Sequence, residues 1–132
     1  MRRVPHLEKV VLRYTGQHYR VYSVKWIWEG YGGMTYNDKK VIKIREDQLK
    51  TYVVLWHEMG HVVKDRDFQH LWESEYEAQK WALVELKNLK KYKLYRKSIE
   101  YVKEWVNEAD VNPTPADDAY YKAAVKLLKE FK

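Results

Sequence analysis

Residues 50–63 read Lys50-Thr51-Tyr52-Val53-Val54-Leu55-Trp56-His57-Glu58-Met59-Gly60-His61-Val62-Val63, and this stretch predicts an α-helix. Because a helix turns once in about 3.6 residues, His57 and His61 lie on the same face, about one turn apart. Two imidazoles so placed can bind one Zn²⁺, whereas Glu58 points to the side and reaches a metal-bound water. This H-E-x-x-H pattern is typical of zinc hydrolases in which the carboxylate acts as general base.

A catalytic zinc needs a third protein ligand, and the chain offers several candidates after His61. The sequence contains no cysteine, so the ligand must be a histidine, an aspartate or a glutamate. Glu77 is preferred, because the intervening chain is long enough to end one helix and to present a side chain from the next. Glu73 is the next choice on the same helical face, while Glu75 points nearly opposite. The remaining candidates are His70, Asp65 and Asp67.

Hydrophobic periodicity elsewhere predicts an α+β fold, with a small N-terminal β-sheet of about three strands before the histidine helix. Residues 1–9 read as a loose arm, and strands are expected at 10–14, at 19–28 and at 40–45. In the second strand the inward residues would be Tyr22, Val24, Trp26 and Trp28, with Ser23 outward. In the third strand Ile42 and Ile44 would face inward, and the helix after it would be capped by Asp47.

The C-terminal half is predicted to be helical. A helix that carries the glutamates is expected at about 71–92, and a further helix at 95–108. A linker at 112–115 would precede a last helix at 116–131, with Tyr121, Ala124, Val125 and Leu128 on its inner face. The length of 132 residues suits a single domain, 1–132, with a core of about 10–92 and a helical C-terminal extension of about 95–132.

Composition excludes some classes of protein. The absence of cysteine excludes disulfides and thiol nucleophiles, and no apolar run approaches the length of a membrane span, so no membrane partner and a cytoplasmic location are expected. The net charge of +6 permits contact with nucleic acid, and the positive charge is concentrated in residues 87–97. A solvated helix face is the preferred interpretation of that segment, because no groove-reading motif accompanies it.

His57-Glu58-Met59-Gly60-His61, followed by a helical Glu77-Ala78, resembles the gluzincin metallopeptidases, of which thermolysin is the best-known member. The small size is similar to that of the minigluzincins, the proabylysin and projannalysin group. The resemblance covers about residues 10–92. It implies Zn²⁺ bound by His57, His61 and Glu77, with Glu58 as general base. It also implies latency, since a terminal segment occupies the cleft in the small group; here that segment would be 96–132.

The expected function is that of a small zinc metalloendopeptidase, which hydrolyses a peptide or protein substrate with a metal-activated water. If the strand at 41–45 lies at the sheet edge, an extended substrate could pair with it. Two alternatives remain open. One is a regulatory protease that cuts a single protein partner while in contact with nucleic acid. The other is a non-enzymatic zinc-binding or basic module, in which His70 would complete a closed site.

Overall fold

Two units make up the chain in this computed structural model, Met1–Val63 and Lys64–Lys132. The structure describes residues 1–25, 27, 32–46, 50–65, 70–111 and 115–131, excepting the side chains of 108–111 and 115–117. A four-stranded sheet and two helices form the described part of the first unit, and three helices that of the second. The predicted α+β class with a small N-terminal sheet is confirmed, while the single-domain organisation stays a prediction.

The first unit is built on a sheet with the strand order β1-β2-β4-β3. Its elements are β1 (Arg2–Arg3), α1 (Pro5–Thr15), β2 (Arg20–Val24), β3 (Gly33–Tyr36), β4 (Val41–Arg45) and α2 (Thr51–Lys64). Strands β2 and β4 are parallel, and the outer strands β1 and β3 are antiparallel to their neighbours. Strand β4 alternates as predicted, with Ile42 and Ile44 buried and Lys43 half-buried. It lies inside the sheet, so the edge position considered for it is wrong.

Residues 5–15 form helix α1, and the prediction of a loose arm followed by a strand at 10–14 is wrong here. Pro5 occupies the first turn, where its missing N–H costs nothing, and Leu7 and Val11 are buried one turn apart. Gly16 ends the helix in the left-handed conformation, with φ of 74°. The β-branched pair at 10–11 suggested a strand, but burial of one helical stripe outweighs that propensity.

Strand β2 is shorter than the predicted strand at 19–28, and its buried side differs. Val21 and Ser23 are buried and Tyr22 is half-buried, the reverse of the expected alternation, although Val24 is buried as expected. Trp26, Trp28 and the expected helix cap Asp47 lie outside the described residues. The interior position of β2, between β1 and β4, explains why its alternation is a poor guide.

The second unit consists of α3 (Leu71–Asn88), α4 (Tyr92–Val111) and α5 (Pro115–Glu130), in which α5 packs against both α3 and α4. Helix α3 ends earlier than expected because Lys90 adopts φ of 58°, and the Lys91 N–H donates to the Leu86 carbonyl oxygen. Of the predicted linker, 112–114 lie outside the described residues and Pro115 begins α5. The buried residues of α5 are Ala119, Ala123, Ala124 and Leu127, so the predicted inner position of Tyr121 is wrong.

None of the described helices combines the length and the apolar character that a membrane-spanning helix requires.

Candidate metal centre

Helix α2 carries the H-E-x-x-H residues on its most buried stretch. Every residue from Val53 to His61 is buried, and His57 and Glu58 are only 1% and 4% exposed. The apolar residues that lead into the motif explain why this helix is buried. Burial of a polar or ionisable group is costly unless the group is hydrogen-bonded, ion-paired or bound to a metal. Three such groups within five residues therefore indicate a specific site rather than ordinary packing.

The imidazoles of His57 and His61 meet edge to face, with their Nε2 atoms 3.2 Å apart and their planes at 86°. Zinc–nitrogen bonds are about 2.0–2.1 Å long, so a tetrahedral ion would hold two such nitrogens about 3.3 Å apart. The separation therefore fits two ligands of a single ion. Both nitrogens must be unprotonated to bind a metal.

Strand β3 holds the Glu58 carboxylate. The Thr35 hydroxyl donates a hydrogen bond to Glu58 Oε1 at 2.8 Å, and it lies 3.2 Å from the backbone carbonyl oxygen of the same glutamate. Gly33 lets the strand come this close: a Cβ there would lie 3.0 Å from Glu58 Cγ and 2.6 Å from Val54 Cγ1. The carboxylate is therefore oriented by a neighbouring strand and not by the helix alone.

Asn37, in the turn that follows β3, joins the same helix to the start of β2. Its side-chain amide donates to the His61 carbonyl oxygen at 3.1 Å, and its Oδ1 accepts a hydrogen bond from the Tyr19 hydroxyl at 2.6 Å. Residues 37–40 form the turn between β3 and β4. Its role in positioning the helix had no signal in the sequence, because both partners lie far away along the chain.

The glutamates of α3 lie on two faces of that helix. Glu75 is buried, 7% exposed, whereas Glu73 and Glu77 are half-buried. At about 100° per residue, the buried Ala78 and Ala82 lie within about 60° of Glu75 but at least about 100° from Glu77. The two alanines thus mark the face of Glu75 rather than that of Glu77. This periodicity is visible in the sequence and could have identified Glu75.

Among the three glutamates weighed as third ligand, the buried one is therefore Glu75. The predicted ligand Glu77 and the second choice Glu73 lie on the less buried side of α3.

Two further candidate ligands, His70 and Asp65, are exposed. The Asp65 carboxylate accepts a hydrogen bond from the Ser74 hydroxyl at 3.2 Å. Asp67 lies outside the described residues. The expected closed site with His70 as a fourth ligand therefore has no support from the described side chains.

The basic segment 87–97 runs from the end of α3, through the turn at 89–91, into the first turns of α4. Its lysines are exposed, and so is Tyr92, but Tyr95 is buried, and this burial raises the pKa of its hydroxyl. Stacking of successive bases needs several exposed aromatic rings among the cations, and the buried ring of Tyr95 does not supply one. The arrangement favours a solvated turn over a surface for nucleic acid.

Comparison with known proteins finds no match for this chain among family models, curated proteins or solved structures.

Proposed function

We propose that the chain is a zinc-dependent metallopeptidase of the gluzincin kind. The observation that carries the proposal is the pair of buried imidazoles with Nε2 atoms 3.2 Å apart, together with the buried Glu58 that follows His57 in the chain. Soft and borderline metals favour imidazole nitrogen, and a site with two histidines and one carboxylate suits zinc. The latency implied by the resemblance, through residues 96–132, stays a prediction.

We further propose that Glu75, rather than Glu77, is the third ligand. Two observations support this choice. A carboxylate that is 7% exposed is costly to bury unless a cation or hydrogen bonds compensate it. It also lies on the same face of α3 as the buried Ala78 and Ala82, whereas Glu77 does not. Three protein ligands would leave the fourth position of a tetrahedral ion for water, as a catalytic site requires.

The reaction we propose is hydrolysis of a peptide bond. A bound zinc would supply a Lewis acid and a water whose pKa falls from about 15.7 towards 7. The Glu58 carboxylate would accept a proton from the attacking water and would later return it to the leaving amine. Thr35 keeps the carboxylate in the orientation for this transfer through its hydrogen bond to Oε1.

Strand β3 is the element of this chain that suits an extended substrate. It is the outer strand beside β4 among the described strands, and it passes Glu58 at Gly33 and Thr35. A peptide that added to this edge by main-chain hydrogen bonds would run past the proposed general base. The substrate class is therefore an unfolded peptide segment.

The decisive experiment measures bound zinc and cleavage of casein for the wild type and for Glu58→Gln. We expect equal zinc content, and a loss of about 10²–10⁴-fold in cleavage rate for the variant, because only the proton acceptor is removed. The same rate in both proteins would refute Glu58 as the general base. Bound zinc without cleavage of casein or of a peptide library by the wild type would favour a non-enzymatic zinc module.

A matched pair of variants, Glu75→Gln and Glu77→Gln, tests the third ligand. Both changes remove one carboxylate from α3, but only the first should weaken zinc affinity, by at least about 100-fold, since loss of even an outer-shell partner costs 10–100-fold. The reverse result would support Glu77 as the third ligand.

Salt-sensitive retention on DNA, together with cleavage of one protein only, would favour the regulatory protease.

A further inference from the structure

A second site lies within the first unit, beside α1. It is a cavity of about 410 Å³, here called the basic pocket, lined by one face of α1, the start of β2 and the turn before β4. Pro5, Lys9 and Leu12 contribute from α1, at the spacing that places residues on one helical face. The volume is within the range of about 300–1,000 Å³ that is usual for small-molecule sites.

Positive charge dominates the lining of the basic pocket. Its permanent cations are Arg3, Lys9, Arg20, Lys39 and Lys40. The single carboxylate is Glu8, and it is already engaged: it accepts hydrogen bonds from Arg3 Nε at 2.7 Å and from the Val21 N–H at 3.0 Å. Arg3 holds the pKa of this carboxyl below its ordinary value, so Glu8 stays ionised and paired.

Of the remaining cations, Arg20 also attracts Glu8, and its charge helps to lower the pKa of that carboxyl. Among the described residues, the side chains of Lys9, Arg20 and Lys40 form no hydrogen bond and no ion pair, and the Lys39 ammonium only approaches the Tyr36 ring, at 6.0 Å from its centroid. Like charges held around one cavity repel each other, and an anion would relieve that repulsion.

The turn that supplies two of these lysines is held in a strained conformation. Lys40 adopts φ of 54°, which is unfavourable for a residue with a side chain. Its carbonyl oxygen accepts a hydrogen bond from the Arg20 N–H at 3.1 Å, and Asn37 in the same turn accepts one from the Tyr19 hydroxyl. These bonds fix the backbone of Lys40 beside that of Arg20, so the two cationic side chains start from fixed positions.

We propose that the basic pocket binds a small ligand that carries an oligophosphate group. Arginine and lysine side chains are the usual partners of phosphate oxygens, and several converging cations favour more than one phosphate. The apolar part of the lining, Pro5 and Leu12, would lie against the remainder of the ligand. The site is separate from the proposed metallopeptidase residues and needs no metal.

Calorimetric titration with ATP, pyrophosphate and adenosine, in about 50 mM NaCl without divalent ions, tests the proposal. We expect ATP and pyrophosphate to bind with one site per chain, and adenosine to bind at least about tenfold more weakly. Tighter binding of ATP than of pyrophosphate would identify a nucleotide, and equal binding would identify the phosphates alone. Either result supports the site. The proposal is overturned if neither ATP nor pyrophosphate gives heat of binding, or if adenosine binds as tightly as ATP.

Two double variants separate the pocket from net charge. Lys9→Gln with Lys40→Gln should weaken binding about tenfold or more, because two nearby charges are lost. Lys93→Gln with Lys97→Gln changes net charge equally, outside the pocket, and should change affinity less than about twofold. Equal weakening by both pairs overturns the proposal.

A third variant, Leu12→Glu, places a carboxylate in the pocket at a position that is 37% exposed and tolerates a polar residue. Unchanged phosphate affinity in this variant would also overturn the proposal. Because the measured quantity is heat of binding, the outcome does not depend on peptidase activity.

Discussion

Gly33 is the position where a single methyl group tests how the sheet orients the proposed general base. In Gly33→Ala the new Cβ would lie 2.6 Å from Val54 Cγ1, 3.0 Å from Glu58 Cγ and 3.1 Å from Glu58 Oε2. Ordinary carbon–carbon contacts are about 3.5–4.0 Å, so strand and helix must separate by roughly 1 Å, or the Glu58 side chain must turn away.

The magnitude follows from these contacts. Overpacking of a well-packed region by one methyl group costs about 1–3 kcal/mol in the free energy of unfolding. A misplacement of about 1 Å near a catalytic group can lower its rate about 10²-fold. We therefore expect Gly33→Ala to lose about 1–3 kcal/mol of stability and about 10–100-fold in cleavage rate, with unchanged zinc content.

The assay combines urea denaturation with casein cleavage by the zinc-loaded protein. Gly16→Ala is the matched control, because Gly16 has φ of 74° and no atom lies within 4 Å of the place that a Cβ would occupy there. It should cost about 1–2 kcal/mol through backbone strain alone and leave the cleavage rate unchanged. Adding Val54→Ala to Gly33→Ala removes the closest contact and should restore part of the lost activity.

Any of three results would refute this reasoning. Gly33→Ala could be as stable as the wild type, or it could lose the expected stability and still cleave casein at the wild-type rate. The Gly16→Ala control could also lose as much activity as Gly33→Ala.

Three further predictions concern the hydrogen bond to Glu58, the Arg3–Glu8 pair and the turn after α3. Thr35→Val should leave zinc content unchanged and lower the cleavage rate about tenfold, since a bond to a charged group contributes about 1.5–3 kcal/mol; an unchanged rate would exclude a role for the hydroxyl. Because the bond from Arg3 lowers the pKa of Glu8, its stabilising effect is complete above the ordinary carboxyl pKa and is lost as the pH falls through the lowered value. Glu8→Gln should therefore lower Tm by roughly 3 °C at pH 7, with the difference closing at acid pH, below the ordinary carboxyl pKa, in a thermal melt; a constant difference would contradict this. Lys90→Gly should raise the free energy of unfolding by about 0.5–1 kcal/mol in urea, because φ of 58° is unstrained only for glycine; a loss of stability would show that the Lys90 side chain compensates the strain.

Much of the second unit and of α2 could be predicted because helical periodicity is local. The expected helices at 71–92, 95–108 and 116–131 correspond to α3, α4 and α5, although their ends differ. The ends depend on single backbone conformations, such as that of Lys90, which side-chain periodicity does not report.

The N-terminal third was less predictable. Val10 and Val11 favour a strand by propensity, but Pro5 and the burial of Leu7 and Val11 make a helix, which is a tertiary outcome. Strand β3 was not among the predicted strands, because glycine disfavours a strand by propensity, whereas the missing side chain of Gly33 is what allows the strand to approach α2.

The sequence by itself determined the pairing of His57 with His61, because one turn of helix sets the distance between them whatever surrounds it. It also placed Glu58 next to them in the chain. Only the tertiary structure decided that Thr35 orients Glu58. The reason is that this hydrogen bond joins residues far apart in the chain, which no local pattern encodes.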